Sequence, residues 1–434
     1  MTDIAIRGGT IIDGIDDYDP FQFLEDPYPT YRMLRETSPV HRVRDGLWVI
    51  SSYDAVSSVL CNDQAFSNAG TRLMMLGGLA SGMRASEESL LAARRQKQKE
   101  LGLPQLLDTD QGWNENTLIS MDPPEHTALR HVINQGLTPR RVADLAPRIR
   151  QITNAAVDRI LSGPNEFDLT EQLASQLPVT VISEMLGVDA ADADDFKRWS
   201  DLIISGITGE LAVSGPEPLL RTLHEVAEYA LRIVEERRRN PKDDLISVLV
   251  DAERGETLTP IQVVDFVIIL LTAGNETTRH LIENAMIALL DHPEQLEKIR
   301  ADPSLIPQAV EEVLRYDGPV QALFRQATGD VELDGARIAK GDILTVLLGS
   351  ASHDDAKFPD GDRFDIYRDT QGHMGFGFGV HFCMGAALAR LETGIALEVL
   401  LTRVPDLRRV DGPLERIDSF HVRGPRQLRL AYGT

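Results

Sequence analysis

Apolar residues recur at intervals of three and four through most of the chain, and strict alternation appears only in short stretches. Helices therefore dominate the predicted elements. Asp26-Pro27-Tyr28-Pro29 opens one through Leu34, and Ser52 to Leu60 forms another. Amphipathic helices follow from Pro139 to Val188 and from Ala193 to Arg239. Val40 to Ser51 reads as a hairpin turning at Asp45-Gly46. Further strands are expected at Val331–Leu333 and Ile343–Leu348. The longest helical pattern starts at Thr259, a good N-cap, with Pro260 at the first helical position and Gln262 completing a capping box. It runs to about Leu290 and is apolar on nearly all sides through Leu271, so it is expected to be buried.

Two stretches break these patterns. The first interrupts the long helix: Ala273-Gly274-Asn275-Glu276-Thr277-Thr278. An acid and hydroxyls are costly inside a buried helix, and such breaches of local rules mark functional sites. Ala273 and Gly274 leave room beside the helix for a diatomic ligand. The second stretch is Gly375-Phe376-Gly377-Phe378-Gly379-Val380-His381-Phe382-Cys383-Met384-Gly385. Glycines at alternate positions let the backbone approach a flat ligand. An apolar stripe at helical spacing, Leu388, Leu391, Ile395 and Val399, begins just after Cys383. The cysteine thus sits at a helix N-terminus, where the dipole and the loop N–H groups favour a thiolate. Such a thiolate suits an axial iron ligand.

Two more motifs carry charge. In Met121-Asp122-Pro123-Pro124-Glu125-His126-x-x-x-Arg130, the histidine and arginine lie one turn apart on one helix face and suit a pair of carboxylates. In the helix Val310 to Tyr316, Glu312 and Arg315 are spaced for an ion pair.

The 434 residues carry a net charge of −23, which argues against non-specific nucleic-acid binding. No apolar run reaches membrane-spanning length; Val263 to Ala273 is too short and contains Asp265. The N-terminus shows no apolar signal core, so a soluble, cytoplasmic protein without a membrane anchor is expected. Of two cysteines, Cys61 falls within the apolar pattern Val56-Val59-Leu60 and reads as core. Residues 1–18 read as a mobile tail. Residues 68–118 are the least typical part, with a helix expected over Ser86 to Leu101.

The Phe-x-x-Gly-x-x-x-Cys-x-Gly run, here Phe376, Gly379, Cys383 and Gly385, resembles the haem-binding loop of the cytochrome P450 family. The resemblance extends from about Asp19 to the C-terminus, with a poor match between Asn68 and Leu118. It implies the cytochrome P450 fold over residues 19–434: one domain, mainly α with a smaller β region, a long central distal helix and a proximal Cys loop. Residues 68–118 would be a lid over the substrate pocket.

The resemblance also implies haem b (iron protoporphyrin IX), with Cys383 as axial thiolate and Phe376, Gly377 and Gly385 against the ring. His126, Arg130, Arg325 and His381 would meet the propionates. Ala273 and Gly274 would form the oxygen groove, and Glu276 with Thr277 the acid–alcohol pair. Glu312, Arg315 and Arg363 would be a structural lock. Leu271, Val320, Leu323, Phe324, His421 and Val422 would line the substrate pocket.

The implied activity is monooxygenation of an apolar terpenoid, steroid, aliphatic or aromatic molecule, with O2 as co-substrate. The chain has no Gly-x-Gly-x-x-Gly nucleotide fingerprint, and Gly375-x-Gly377-x-Gly379 has the wrong spacing. Electrons from NAD(P)H would arrive through a separate reductase and a ferredoxin docked near Arg390 on a monomer. Peroxide-driven relatives carry an arginine in place of the acid–alcohol pair. Arg279 lies near, but Glu276 and Thr277 argue against that chemistry.

Overall fold

The computed structural model describes residues 15–75, 87–103, 117–189, 192–207, 217–254 and 258–433. The long helix spans Pro260–Asp291 (the central helix), and its Thr259 cap and Gln262 form the expected reciprocal capping box. It is buried from both ends. Val263, Val264, Val267, Ile268 and Leu271 join a core shared with the helices Ala193–Ile207 and Glu217–Arg239. Leu281, Ile282, Ala285, Met286 and Leu289 join a second core with the helices Ile306–Tyr316 and Ala386–Arg403. Burial on all sides is what an all-round apolar helix requires.

The main sheet has five strands. Their order is Val40–Arg44, Leu47–Ile50, Ile343–Leu347, Ala322–Ala327 and Phe66–Ser67. The hairpin forms as expected, and its second strand pairs parallel with Ile343–Leu347. A parallel pair needs a long crossover, and here most of the helical body intervenes. In the strand Ala322–Ala327, Leu323 and Arg325 alternate with Phe324. A strand sends successive side chains to opposite faces. Leu323 lies against Gly377 of the cysteine loop, whereas Phe324 packs on Phe21 and Phe420.

Three expectations about the chain's organisation change. Tyr18 is buried with Tyr31 and Leu34, so the packed domain begins before residue 19; residues 1–14 of the expected tail lie outside the described residues. Cys61 is exposed, not core. It ends the helix Tyr53–Cys61, whose inward positions are Ala55, Val56, Val59 and Leu60. Within residues 68–118, the helices Ala69–Met75 and Glu87–Glu100 are described. Residues 76–86 and 104–116 of the expected lid lie outside the described residues.

The structural lock also differs in its third member. Arg315 donates to Glu312 at 2.7 and 2.8 Å and to the carbonyls of Ser352, Gly361 and Arg363. The Arg363 side chain is exposed and pairs with Asp365 at 3.3 Å. Arg368 takes the place predicted for it, lying 3.5 Å from Glu312 and donating to the carbonyls of Pro359, Asp360 and Arg363. Register along the irregular segment decides which guanidinium turns inward.

Candidate active site

Cys383 lies in the last turn of a loop before the helix Ala386–Arg403. Its N–H donates to the Phe376 carbonyl at 2.9 Å, which closes the loop into a ring. Gly377 and Gly379 both adopt left-handed φ angles, 69° and 70°, where a side chain would be strained. A Cβ at Gly375 would come within 2.6 Å of the Leu314 carbonyl, so the loop lies on the Ile306–Tyr316 helix. Burial pushes the Cys383 thiol above its ordinary pKa. The N–H groups of Gly385 and Ala386 and the charges of Arg130 and Arg390 act in the opposite direction. The loop environment therefore favours a thiolate, as the motif predicts, but burial outweighs it.

A cluster of basic groups converges beside this loop. His126 is buried on the helix Glu125–Asn134, and neither of its ring nitrogens has a hydrogen-bond partner. Its ring lies 3.9 Å from that of His381, whose Nε2 is likewise unpartnered. Arg325 is buried on the neighbouring strand, and desolvation lowers its pKa to about 10 despite the help of Asp122. Arg130 donates to the Phe382 carbonyl at 2.6 Å. Burial, together with His126, Arg325 and Arg130, lowers the His381 pKa to about 2. Buried polar groups ordinarily find partners. Four mutually opposed donors around orphaned imidazoles fit a ligand bearing two carboxylates, and a flat ring between them would meet the glycines of the loop. The residues present thus fit haem.

Across from the loop, the central helix supplies Ala273, Gly274, Glu276 and Thr277. Ala273 is exposed in a helix that is otherwise largely buried, so it faces open space. Gly274 does not share that role. A Cβ there would lie 2.6 Å from Ile182 Cδ1, so this glycine lets the helix Gln176–Leu186 approach. Thr277 donates to the Ala273 carbonyl at 2.6 Å. The buried Glu276 turns along the helix to His280 Nε2, at 3.3 Å. The acid and the alcohol are therefore adjacent in sequence but not bonded to each other. Arg279 is held by Glu283 and by the carbonyls of Pro425 and Arg426, and so is engaged away from the Thr277 hydroxyl.

The expected pocket residues divide. Val320 and Val422 pair as an isolated bridge, and Gln321 N–H donates to the His421 carbonyl at 2.8 Å. His421 faces Glu276, although burial holds its pKa down to about 4. Leu323 faces the loop. Leu271 and Phe324 do not line this space: helical phase buries Leu271 in the core with Phe196 and Trp199, and strand alternation turns Phe324 to Phe21.

Arg390, on the face expected to dock a ferredoxin, is not a free charge. Instead Glu311 accepts from its Nε and Nη2 at 2.5 and 2.8 Å, and its guanidinium lies 4.5 Å over the Phe376 ring. His373 Nε2 is bonded to Glu311 at 3.0 Å. Neither this clamp on the loop's entry nor the anchoring of Ser67 and Asn68 by Asp122 is signalled by a local sequence pattern. Glu311 adjoins Glu312 in sequence, and nothing local signals that the two acids point to different partners.

The family model described as Cytochrome P450 matches residues 79–404. Cytochrome P450 107B1 of Saccharopolyspora erythraea is 39% identical over 399 residues, covering 90% of this chain and 91% of that protein. The solved structure of CYP109Q5 from Chondromyces apiculatus superposes with a TM-score of 0.79 at 41% identity, covering 94% of this chain and 96% of that one. CYP109E1 from Bacillus megaterium, solved in complex with testosterone, superposes with a TM-score of 0.79 at 33% identity, covering 94% and 98%. With Cys383 in its glycine loop, the basic cluster beside it and these matches over most of its length, the chain belongs to the cytochrome P450 family of monooxygenases.

Proposed function

We propose that the protein is a cytoplasmic monooxygenase that takes electrons from NAD(P)H through a ferredoxin and its reductase and oxidises an apolar molecule of about steroid size. One observation carries the assignment of haem b to this site: the buried His126 imidazole, unpartnered at both nitrogens, stacked near His381 and beside the cysteine loop. Haem held there supplies the reduction of O2 and the insertion of one oxygen atom, and a cysteine thiolate favours O–O cleavage.

The chain's own residues do the rest. Cys383 would ligate the iron, Arg130 and Arg325 would supply positive charge to the two carboxylates, and His126 and His381 would hydrogen-bond them. Phe376, Gly377 and Gly385 would border the ring. Thr277 presents a hydroxyl whose proton is held by the Ala273 carbonyl, ready to order a water. Glu276 is the titratable group next to it. Val320, Leu323, His421 and Val422 border the space open to a substrate. The testosterone complex of CYP109E1 supports the steroid size. The ferredoxin docks on the face where Val380 and Phe382 are exposed beside the cysteine. The charge of Arg390 is already taken up by Glu311 there.

The test is the ferrous–CO spectrum. The protein should show the red-shifted band of thiolate ligation, and Cys61→Ala should keep it. Persistence of that band in Cys383→Ala would sink the assignment. A panel of steroids, terpenoids and fatty acids screened for the low- to high-spin shift then reads the substrate class.

A further inference from the structure

Behind Glu276, away from the Thr277 hydroxyl, the central helix carries a line of buried titratable groups. His280 is wholly buried and sits between two carboxylates. Its Nε2 is 3.3 Å from Glu276 Oε1, and its Nδ1 is 2.8 Å from Glu283 Oε2. The spacing i, i+4, i+7 puts all three on one helix face. Glu283 is also wholly buried; Arg279 Nε donates to it at 3.2 Å, and the Thr170 hydroxyl bonds it from the far side. His421, on the C-terminal segment, faces Glu276. The ring of His280 packs against Gly424, where any Cβ would overlap it. Among the described residues, the groups that bear on the charge of His280 are Glu276, Glu283 and Arg279 on its own helix, with Thr170 at Glu283, His421 at Glu276 and the backbone of Gly424 against the ring.

We infer that His280 is a positioning residue for the monooxygenase reaction: clamped by Glu283, it holds the Glu276 carboxylate in place behind Thr277 and makes that acid's readiness depend on pH. The inference rests on the proposed acid role of Glu276. With both carboxylates ionised, contacts at both ring nitrogens require the imidazolium, because each nitrogen must then donate. Burial opposes that proton, but hydrogen bonds to Glu276 and Glu283 outweigh it and raise the His280 pKa. The imidazolium is present below that raised pKa and is lost as pH rises through it. Above it, Glu276 loses a charge-assisted partner, and the carboxylate is no longer fixed.

The test compares His280→Gln, Glu276→Gln and the double variant in the haem-loaded, full-length protein. NADH oxidation and peroxide release are followed with ferredoxin and reductase, with testosterone as the probe compound and with none. The imidazole's own titration is followed by NMR of histidine-labelled wild-type protein. His280 should titrate above the ordinary value of about 6.5. His280→Gln should lower the rate by about tenfold, less than the ~10²-fold an acid–base group supplies. It should also abolish the alkaline limb of the pH profile, and it should cost nothing further in the Glu276→Gln background. A loss in Glu276→Gln alone, with a wild-type rate and pH profile in His280→Gln, overturns this inference and leaves the role of Glu276 standing. Wild-type rates in both single variants overturn the acid role itself and the inference with it. If His280→Gln does not fold, a His280 pKa at or below 6.5 in the wild-type protein overturns the inference.

Discussion

The rings of His126 and His381 lie 3.9 Å apart, one on the helix after Pro123-Pro124 and the other two residues before Cys383. Imidazoles this close, with three ring nitrogens unpartnered between them, do not stabilise one another. They are a stability cost that a shared anionic partner relieves.

His126→Ala and Arg325→Ala should each weaken haem retention. Each removes a charge-assisted bond to a buried carboxylate, worth about 1.5–3 kcal/mol. Transfer of haem to an excess of apomyoglobin reads the loss. Unchanged transfer rates in both variants would remove their propionate assignment.

Glu311→Gln should loosen the cysteine loop, because it breaks the clamp on both Arg390 and His373. The expected cost is about 1–2 kcal/mol, toward the low end for charged bonds because Arg390 is partly exposed. Burial alone would raise the Glu311 pKa, but hydrogen bonds from Arg390 and His373 outweigh it and lower the value to about 2. A depressed carboxyl contributes stability that is full above its unfolded pKa of about 4.3. That contribution is lost as pH falls from there toward 2. Thermal melts of wild type and variant should therefore differ at pH 7 and converge in acid. A constant gap down to pH 3 would remove the clamp's electrostatic role.

Arg368→Ala should destabilise the fold far more than Arg363→Ala. The former strips a nearly buried guanidinium from Glu312 and three carbonyls, while the latter removes an exposed pair. The expected costs are about 3 kcal/mol or more and below about 1 kcal/mol. Urea unfolding separates them, and equal midpoints would restore Arg363 to the lock.

Thr277→Ala should uncouple turnover. It removes one hydroxyl and one methyl and leaves Cys383 untouched, so the CO spectrum and the substrate spin shift should survive. NADH consumption should continue, while product per NADH falls and H2O2 rises. Full coupling with an accepted substrate would show that another hydroxyl, such as that of Thr278, does this work.

The elements and the chemistry were legible in the chain because they are local. The capping box of Thr259 and Gln262, the turn at Asp45-Gly46 and the left-handed glycines beside Cys383 depend on neighbours a few residues apart. His126 and Arg130 share a helix, and their one-turn spacing suits a pair of carboxylates. What the tertiary structure alone decided is which of two plausible side chains turns inward. Arg368 rather than Arg363 meets Glu312, Glu311 takes Arg390, Gly274 makes room for Ile182, and Cys61 faces outward. Each choice depends on a partner brought in from a distant segment. One residue of phase on a strand or helix reverses a side chain's direction, and sequence periodicity over an irregular segment does not fix that phase. Glu276 shows both levels at once. Its place beside Thr277 is written in the chain, but its bond to His280 rather than to the threonine comes from the buried space that Gly424 leaves for the imidazole.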